Sequence, residues 1–106
     1  MAKFLFEANY TPEGAKGIIK EGGSGRRTAI EKAVTGLGGR LEAFYFAFGS
    51  VDAYVIVDLP DNVTAAAMAF AVSQSGLATT RTVVLLTMEE TDAATKKTVT
   101  YRAPGK

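Results

Sequence analysis

The sequence predicts an α+β fold in the order β-α-β-β-α-β, a four-stranded antiparallel sheet with helices on one face plus a short C-terminal helix. Three observations carry that reading. Two apolar runs, LEAFYFAF and AYVIVDL, flank one polar break, Gly49-Ser50-Val51-Asp52, and read as a central β-hairpin. Two further strand-like runs, FLFEANY near the start and Thr79 to Thr87 near the end, lie outside it. Between strands, apolar residues recur at the spacing of a helix face.

The first strand is Lys3 to Tyr10, with Phe4, Phe6, Ala8 and Tyr10 on one face and Lys3, Leu5, Glu7 and Asn9 on the other. Thr11 is placed to cap a helix and Pro12 to occupy its first position, so a short helical turn carrying Ala15, Ile18 and Ile19 follows. Gly14 and Gly17 weaken it. After Glu21-Gly22-Gly23-Ser24-Gly25, a better helix starts with Ser24 as its expected N-cap. Its buried stripe is Ile30, Ala33, Val34 and Leu37, and Gly38-Gly39 ends it.

In the second strand, strict alternation puts Glu42, Phe44, Phe46 and Phe48 on one side and Leu41, Ala43, Tyr45 and Ala47 on the other. Val55, Val57 and Leu59 oppose Tyr54 and Ile56 in the third. Pro60-Asp61-Asn62 closes that strand and caps a helix with Ala65, Met68, Ala69 and Val72 on one face, ending at Gly76. In the fourth strand Val84 and Leu86 oppose Val83 and Leu85. Thr87-Met88-Glu89-Glu90 fits a capping box, with Lys96 and Lys97 at the end of the short helix it starts. Val99 to Tyr101 is expected to extend along a sheet edge, and Ala103 to Lys106 to form a loose tail.

This order is that of a ferredoxin-like domain, and a chain of 106 residues reads as one such domain, 1–106. Both sheet faces read as largely apolar, yet two helices cover only one. A bare patch of that size exceeds what soluble monomers show, so the chain is expected to pair with itself through the open sheet face, as a homodimer or higher homo-oligomer.

Composition narrows the function. There is no cysteine and no histidine, which excludes disulfides, thiolate or imidazole nucleophile pairs and the usual zinc and haem ligands. No metal site and no cofactor is expected, and the absence of cysteine suits a reducing cytoplasm. Twelve basic and eleven acidic residues are spread along the chain for a net charge of +1, so neither nucleic acid nor an anionic membrane is an expected partner. Neither a signal peptide nor an apolar run of membrane-spanning length is present.

Thr11-Pro12-Glu13-Gly14-Ala15-Lys16-Gly17, Leu41-Glu42-Ala43-Phe44-Tyr45-Phe46-Ala47-Phe48-Gly49, Asp52 and Val57-Asp58-Leu59-Pro60-Asp61 resemble the GYD-domain family over nearly the whole chain. The resemblance implies a small bacterial or archaeal protein of the dimeric α+β barrel type, without a generally assigned activity. That family is named for Gly-Tyr-Asp, often Gly-x-Tyr-Asp, at the hairpin. Here Gly49 and Asp52 are present and Val51 stands at the tyrosine position, which removes a phenol. Glycine for the turn and an aspartate accepting turn amides explain those two residues structurally.

Two groups of residues are candidate sites. Arg26 and Arg27, after the glycine run and in the first turn of a helix, are placed to hold an anion, although the run matches neither a P-loop nor a dinucleotide fingerprint. Solvated surface arginines are the plainer account. Tyr10, Tyr45, Tyr54, Phe44, Phe46 and Phe48 are placed to line a cavity between paired sheets, where Asp52 would orient a small, mostly apolar ligand; packed core and interface aromatics are the plainer account. Three functions follow: a homo-oligomeric small-molecule-binding, sensing or accessory protein; a cofactor-independent oxygenase or isomerase with Asp52 as base and Tyr10 or Arg26 stabilising charge; or a purely structural assembly module.

Overall fold

The computed structural model describes residues 1–106. The element order is β1 (Ala2–Tyr10), α1 (Pro12–Gly36), β2 (Arg40–Phe46), β3 (Ala53–Leu59), α2 (Asn62–Gln74), β4 (Ala78–Leu85) and α3 (Met88–Thr95). The strands form one antiparallel sheet in the order β2-β3-β1-β4. This is the ferredoxin-like arrangement, with α1 over β2 and α2 over β4 on the same face. No helix is long and apolar enough to cross a membrane.

The start of α1 follows from Thr11, whose hydroxyl accepts the Gly14 N–H at 3.2 Å, and from Pro12 at the first helical position. Gly22 then breaks the helix with φ 77° and ψ 167°, a left-handed backbone that only glycine adopts cheaply. The break falls two residues before the expected N-cap. Ser24 therefore lies inside the second segment, where its carbonyl accepts the Thr28 hydroxyl, and it does not cap. Val34 is buried and Ile30 and Leu37 are partly so, whereas Ala33, Ala15 and Ile19 are exposed.

The core lies between one sheet face and the helices, built from Phe4, Phe6, Val34, Leu41, Val55, Val57, Leu59, Ala65 and Met68. A register shift between Leu41 and Ala43 corrects the strict alternation expected of β2. Leu41 pairs with Val57 and Phe44 with Val55, so both face the helices, and the bulged Glu42 reaches Lys3 on the other side. The strand also ends at Phe46, leaving Phe48 fully exposed in the loop.

On the open face, cross-strand register sorts the side chains into three rows. Ala43, Ile56, Leu5 and Val83 form a wholly apolar middle row. On one side of it lie Tyr45, Tyr54, Glu7 and Arg81, with Arg81 reaching Glu7 at 3.4 Å. On the other lie Arg40, Asp58, Lys3 and Leu85, where Lys3 and Arg40 each donate to Asp58 at 2.9 Å. The face is thus less apolar than alternation alone suggests. The hydrogen bond from Lys3 holds the Asp58 carboxyl below its ordinary range, and Glu42 followed by Asp58 raises the Lys3 ammonium.

Thr87 and Glu90 complete the expected capping box of α3. Beyond it the chain departs from expectation, because Val99 and Tyr101 join no strand and are exposed. The radius of gyration is 16.7 Å and the long axis 55 Å, against about 13 Å for a compact chain of this length. The C-terminal end forms an exposed arm: α3 buries no residue, and every side chain from Met88 to Arg102 is exposed.

Candidate functional site

Each helix lies over an outer strand, so the pair part above the central strands β1 and β3 and leave a cleft there. Its floor is Phe6, Ala8, Val55 and Val57, with Phe44 to one side. Gly14, Gly17, Ile18, Ala29 and Ile30 line it from α1, and Met68, Ala71 and Val72 from α2. The residue types account for the space. Where a helix facing a sheet would ordinarily place Leu or Ile, this chain has glycine and alanine, and a Cβ added at Gly17 meets nothing within 4 Å. The resulting volume is about 410 Å³, within the usual range of small-molecule sites.

Five polar side chains stand on this mostly apolar lining: Tyr10 from the end of β1, Glu21 just before the Gly22 break, Arg26 one turn after it, and the hydroxyls of Ser75 and Thr80. Arg26 Nε lies 3.3 Å from a Glu21 carboxylate oxygen but is too poorly aligned to donate to it, so this buried nitrogen has no hydrogen-bond partner. Tyr10 is half-buried. Burial raises its hydroxyl above the ordinary value, Arg26 opposes that, and the negative charges of Asp52 and Glu21 add to it. Its ring lies 6.5 Å from that of Phe46, which in turn is 5.0 Å from Phe44, so an aromatic row runs along this end of the cleft.

Of the residues singled out from the sequence, the structure brings Tyr10, Arg26 and Phe44 together on the cleft. Phe46 packs at its edge, against Tyr10, Phe44 and the Gly23 backbone. The others lie elsewhere. Tyr45 and Tyr54 are neighbours on the open sheet face, Phe48 is in solvent, and Arg27 points away to pair with Glu31 at 3.5 Å. The cleft is on the helix side of the sheet, so the cavity between paired sheets is not where the enclosed space of one chain lies. Sequence reading missed Glu21 and the small residues of α1 and α2; glycine and alanine on facing helix sides were the available signal.

Asp52 does not line the cleft. Its Oδ2 accepts the Tyr10 backbone N–H at 2.8 Å and its own N–H donates to the Ala8 carbonyl at 2.9 Å. The carboxylate stands in for a strand carbonyl just past the last β1–β3 pair, Ala8 with Ala53. Asn9 ties down the same loop by donating to the Ser50 carbonyl at 2.9 Å. Val51 turns inward and is only 4% exposed, which makes it a core residue within a loop. The hairpin motif therefore anchors the loop to β1, through the amide of a neighbouring strand rather than those of its own turn.

The model of the GYD domain matches residues 4–95, from the first core phenylalanine to the end of α3. The chain belongs to the GYD-domain family. Within this GYD domain, the matched span contains every residue lining the cleft and leaves the tail after α3 outside. Neither the curated proteins nor the solved structures include a match to the chain.

Proposed function

We propose that this GYD-domain chain binds a small, mostly apolar molecule in the cleft between α1, α2 and the sheet, and that it does so as a homo-oligomer. The cleft carries the first part. Protein interiors rarely keep voids larger than a water molecule, because unfilled space forfeits packing energy. A space of about 410 Å³ walled by apolar side chains is what a ligand would fill. Binding is favoured over catalysis because Asp52, the base that the oxygenase or isomerase alternative requires, is engaged with the Tyr10 backbone and absent from the lining.

The test is binding of the uncharged fluorescent probe N-phenyl-1-naphthylamine to the purified chain and to an Ala29→Leu, Ala71→Leu variant that fills the cleft. The expected result is probe binding by the parent and a loss of about tenfold or more in the filled variant, for about 1.4 kcal/mol or more of lost affinity. Its melting temperature should be equal or higher. Equal binding by both proteins would place the probe elsewhere and end the proposal.

Two observations support self-association. The apolar row Ala43, Ile56, Leu5 and Val83 crosses the uncovered sheet face, and the C-terminal arm carries exposed Leu86, Met88, Val99 and Tyr101. A stable pair would bury roughly 1,200 to 2,000 Å² in total. Sedimentation velocity should give a mass above that of the 11.2 kDa chain. Ile56→Asp, at the centre of the row, should shift the protein to monomer with its helix content intact. A parent that stays monomeric at every concentration sinks this part.

A further inference from the structure

The small molecule's chemistry can be narrowed, and this step rests on the cleft reading above. Only two side chains of the lining carry full charge at neutral pH, Glu21 and Arg26. They are not equivalent. Glu21 sits before the Gly22 break with a side chain 38% exposed, whereas Arg26 is 31% exposed and buries its Nε without a hydrogen bond. A charged donor left unbonded away from water is an unfavourable arrangement that a ligand acceptor would relieve. The Tyr10 hydroxyl is a second free donor on the same lining, making no hydrogen bond within the chain. A tyrosine hydroxyl is protonated at neutral pH in any case, and burial moves it further in that direction, so it is able to donate.

We infer that the ligand is an apolar carboxylate, its head group on the planar donor fork of Arg26 with the Tyr10 hydroxyl beside it, and its body among the apolar residues between α1 and α2. A planar carboxylate matches the guanidinium fork, and one cation on the lining suits one negative charge. A phosphate monoester carries nearly two charges and would find a single cation opposite a competing carboxylate. Glu21 is that competitor: it neutralises Arg26 while the cleft is empty and gives way when a ligand carboxylate takes its place. Gly22 beside it supplies the break in α1 across which the two side chains meet.

The experiment displaces N-phenyl-1-naphthylamine with octanoate, 1-octanol and octylamine, which share a body and differ in head group. Octanoate should compete at about tenfold lower concentration than 1-octanol, the scale of one hydrogen bond to a charged group. Octylamine should compete least. Arg26→Met should bring octanoate to the level of 1-octanol, the two being compared within the same variant so that any change in probe affinity cancels, and Glu21→Gln should strengthen octanoate severalfold. Circular dichroism of both variants should match the parent. Octanoate and 1-octanol competing equally in the parent, or a preference that survives Arg26→Met, overturns the carboxylate assignment while probe binding keeps the cleft. A parent that does not bind the probe overturns both.

Discussion

Phe4→Ala should cost about 3 to 5 kcal/mol, a large share of the roughly 5 to 15 kcal/mol that holds a domain of this size together. Phe4 is 1% exposed, sits between Val57 of β3 and Val84 of β4, and is covered by α2 through Ala65. The α2 residues nearest it include Ala65, Ala66 and Ala69, whose short side chains fill little of the vacated space, so much of the void would persist. Urea unfolding should show a lower midpoint with an unchanged slope. Phe48→Ala is the control, since that ring is fully exposed and its loss should stay within about 0.5 kcal/mol. Equal effects from the two would refute the solvent-exposed position of Phe48.

Gly39→Ala is expected to be comparably damaging for the opposite reason, overfilling rather than emptying. A Cβ at Gly39 would stand 2.3 Å from the Asp58 carbonyl oxygen, 2.7 Å from Leu59 Cδ2 and 3.2 Å from Val34 Cγ1. The first of these atoms is backbone and the other two belong to fully buried side chains, so none yields cheaply. Overpacking of this kind costs about 1 to 3 kcal/mol and occasionally more. The upper end applies here, because moving β3 also disturbs the Asp58 pairs with Lys3 and Arg40. Gly36→Ala, three residues earlier, meets nothing within 4 Å and should be neutral or slightly stabilising. Thermal melts of the two variants side by side decide the matter, and a Gly39→Ala melting temperature equal to that of Gly36→Ala would refute the close approach.

The two predictions isolate where reading along the chain succeeds. Alternation assigned β1 correctly because that strand is central and regular, and helix-face spacing found Ala65, Met68, Ala69 and Val72 of α2 with its cap at Asp61. It failed at Glu42, where one bulged residue moved Leu41 onto the phenylalanine face, since a bulge leaves no mark in a run of apolar letters. It also failed at Ser24, a good capping residue that lies inside a helix because Gly22 had already set the break.

The candidate site was legible in part. Tyr10 stood out because a tyrosine ending a buried strand face needs a partner for its hydroxyl, and Arg26 because it follows a glycine run at a helix start. Glu21 carried no such signal, since its relation to Arg26 exists only across the broken helix. Tyr45 and Tyr54 looked equivalent to Tyr10 by composition, yet the pleat sends them to the other side of the sheet. Asp52 looked like a base and is a strand acceptor in side-chain form.

By itself the sequence determined the fold class, the order of elements, the caps at Thr11 and Thr87 and the exclusion of imidazole and thiolate chemistry, because periodicity, capping residues and composition are properties of short segments. Only the tertiary structure decided where the empty space lies. The cleft is the gap between two helices that never adjoin in sequence, and its volume depends on glycine and alanine at positions that face one another only once the sheet has set α1 over β2 and α2 over β4. Missing side-chain volume has no local signature, so it becomes a site only when opposite walls are known.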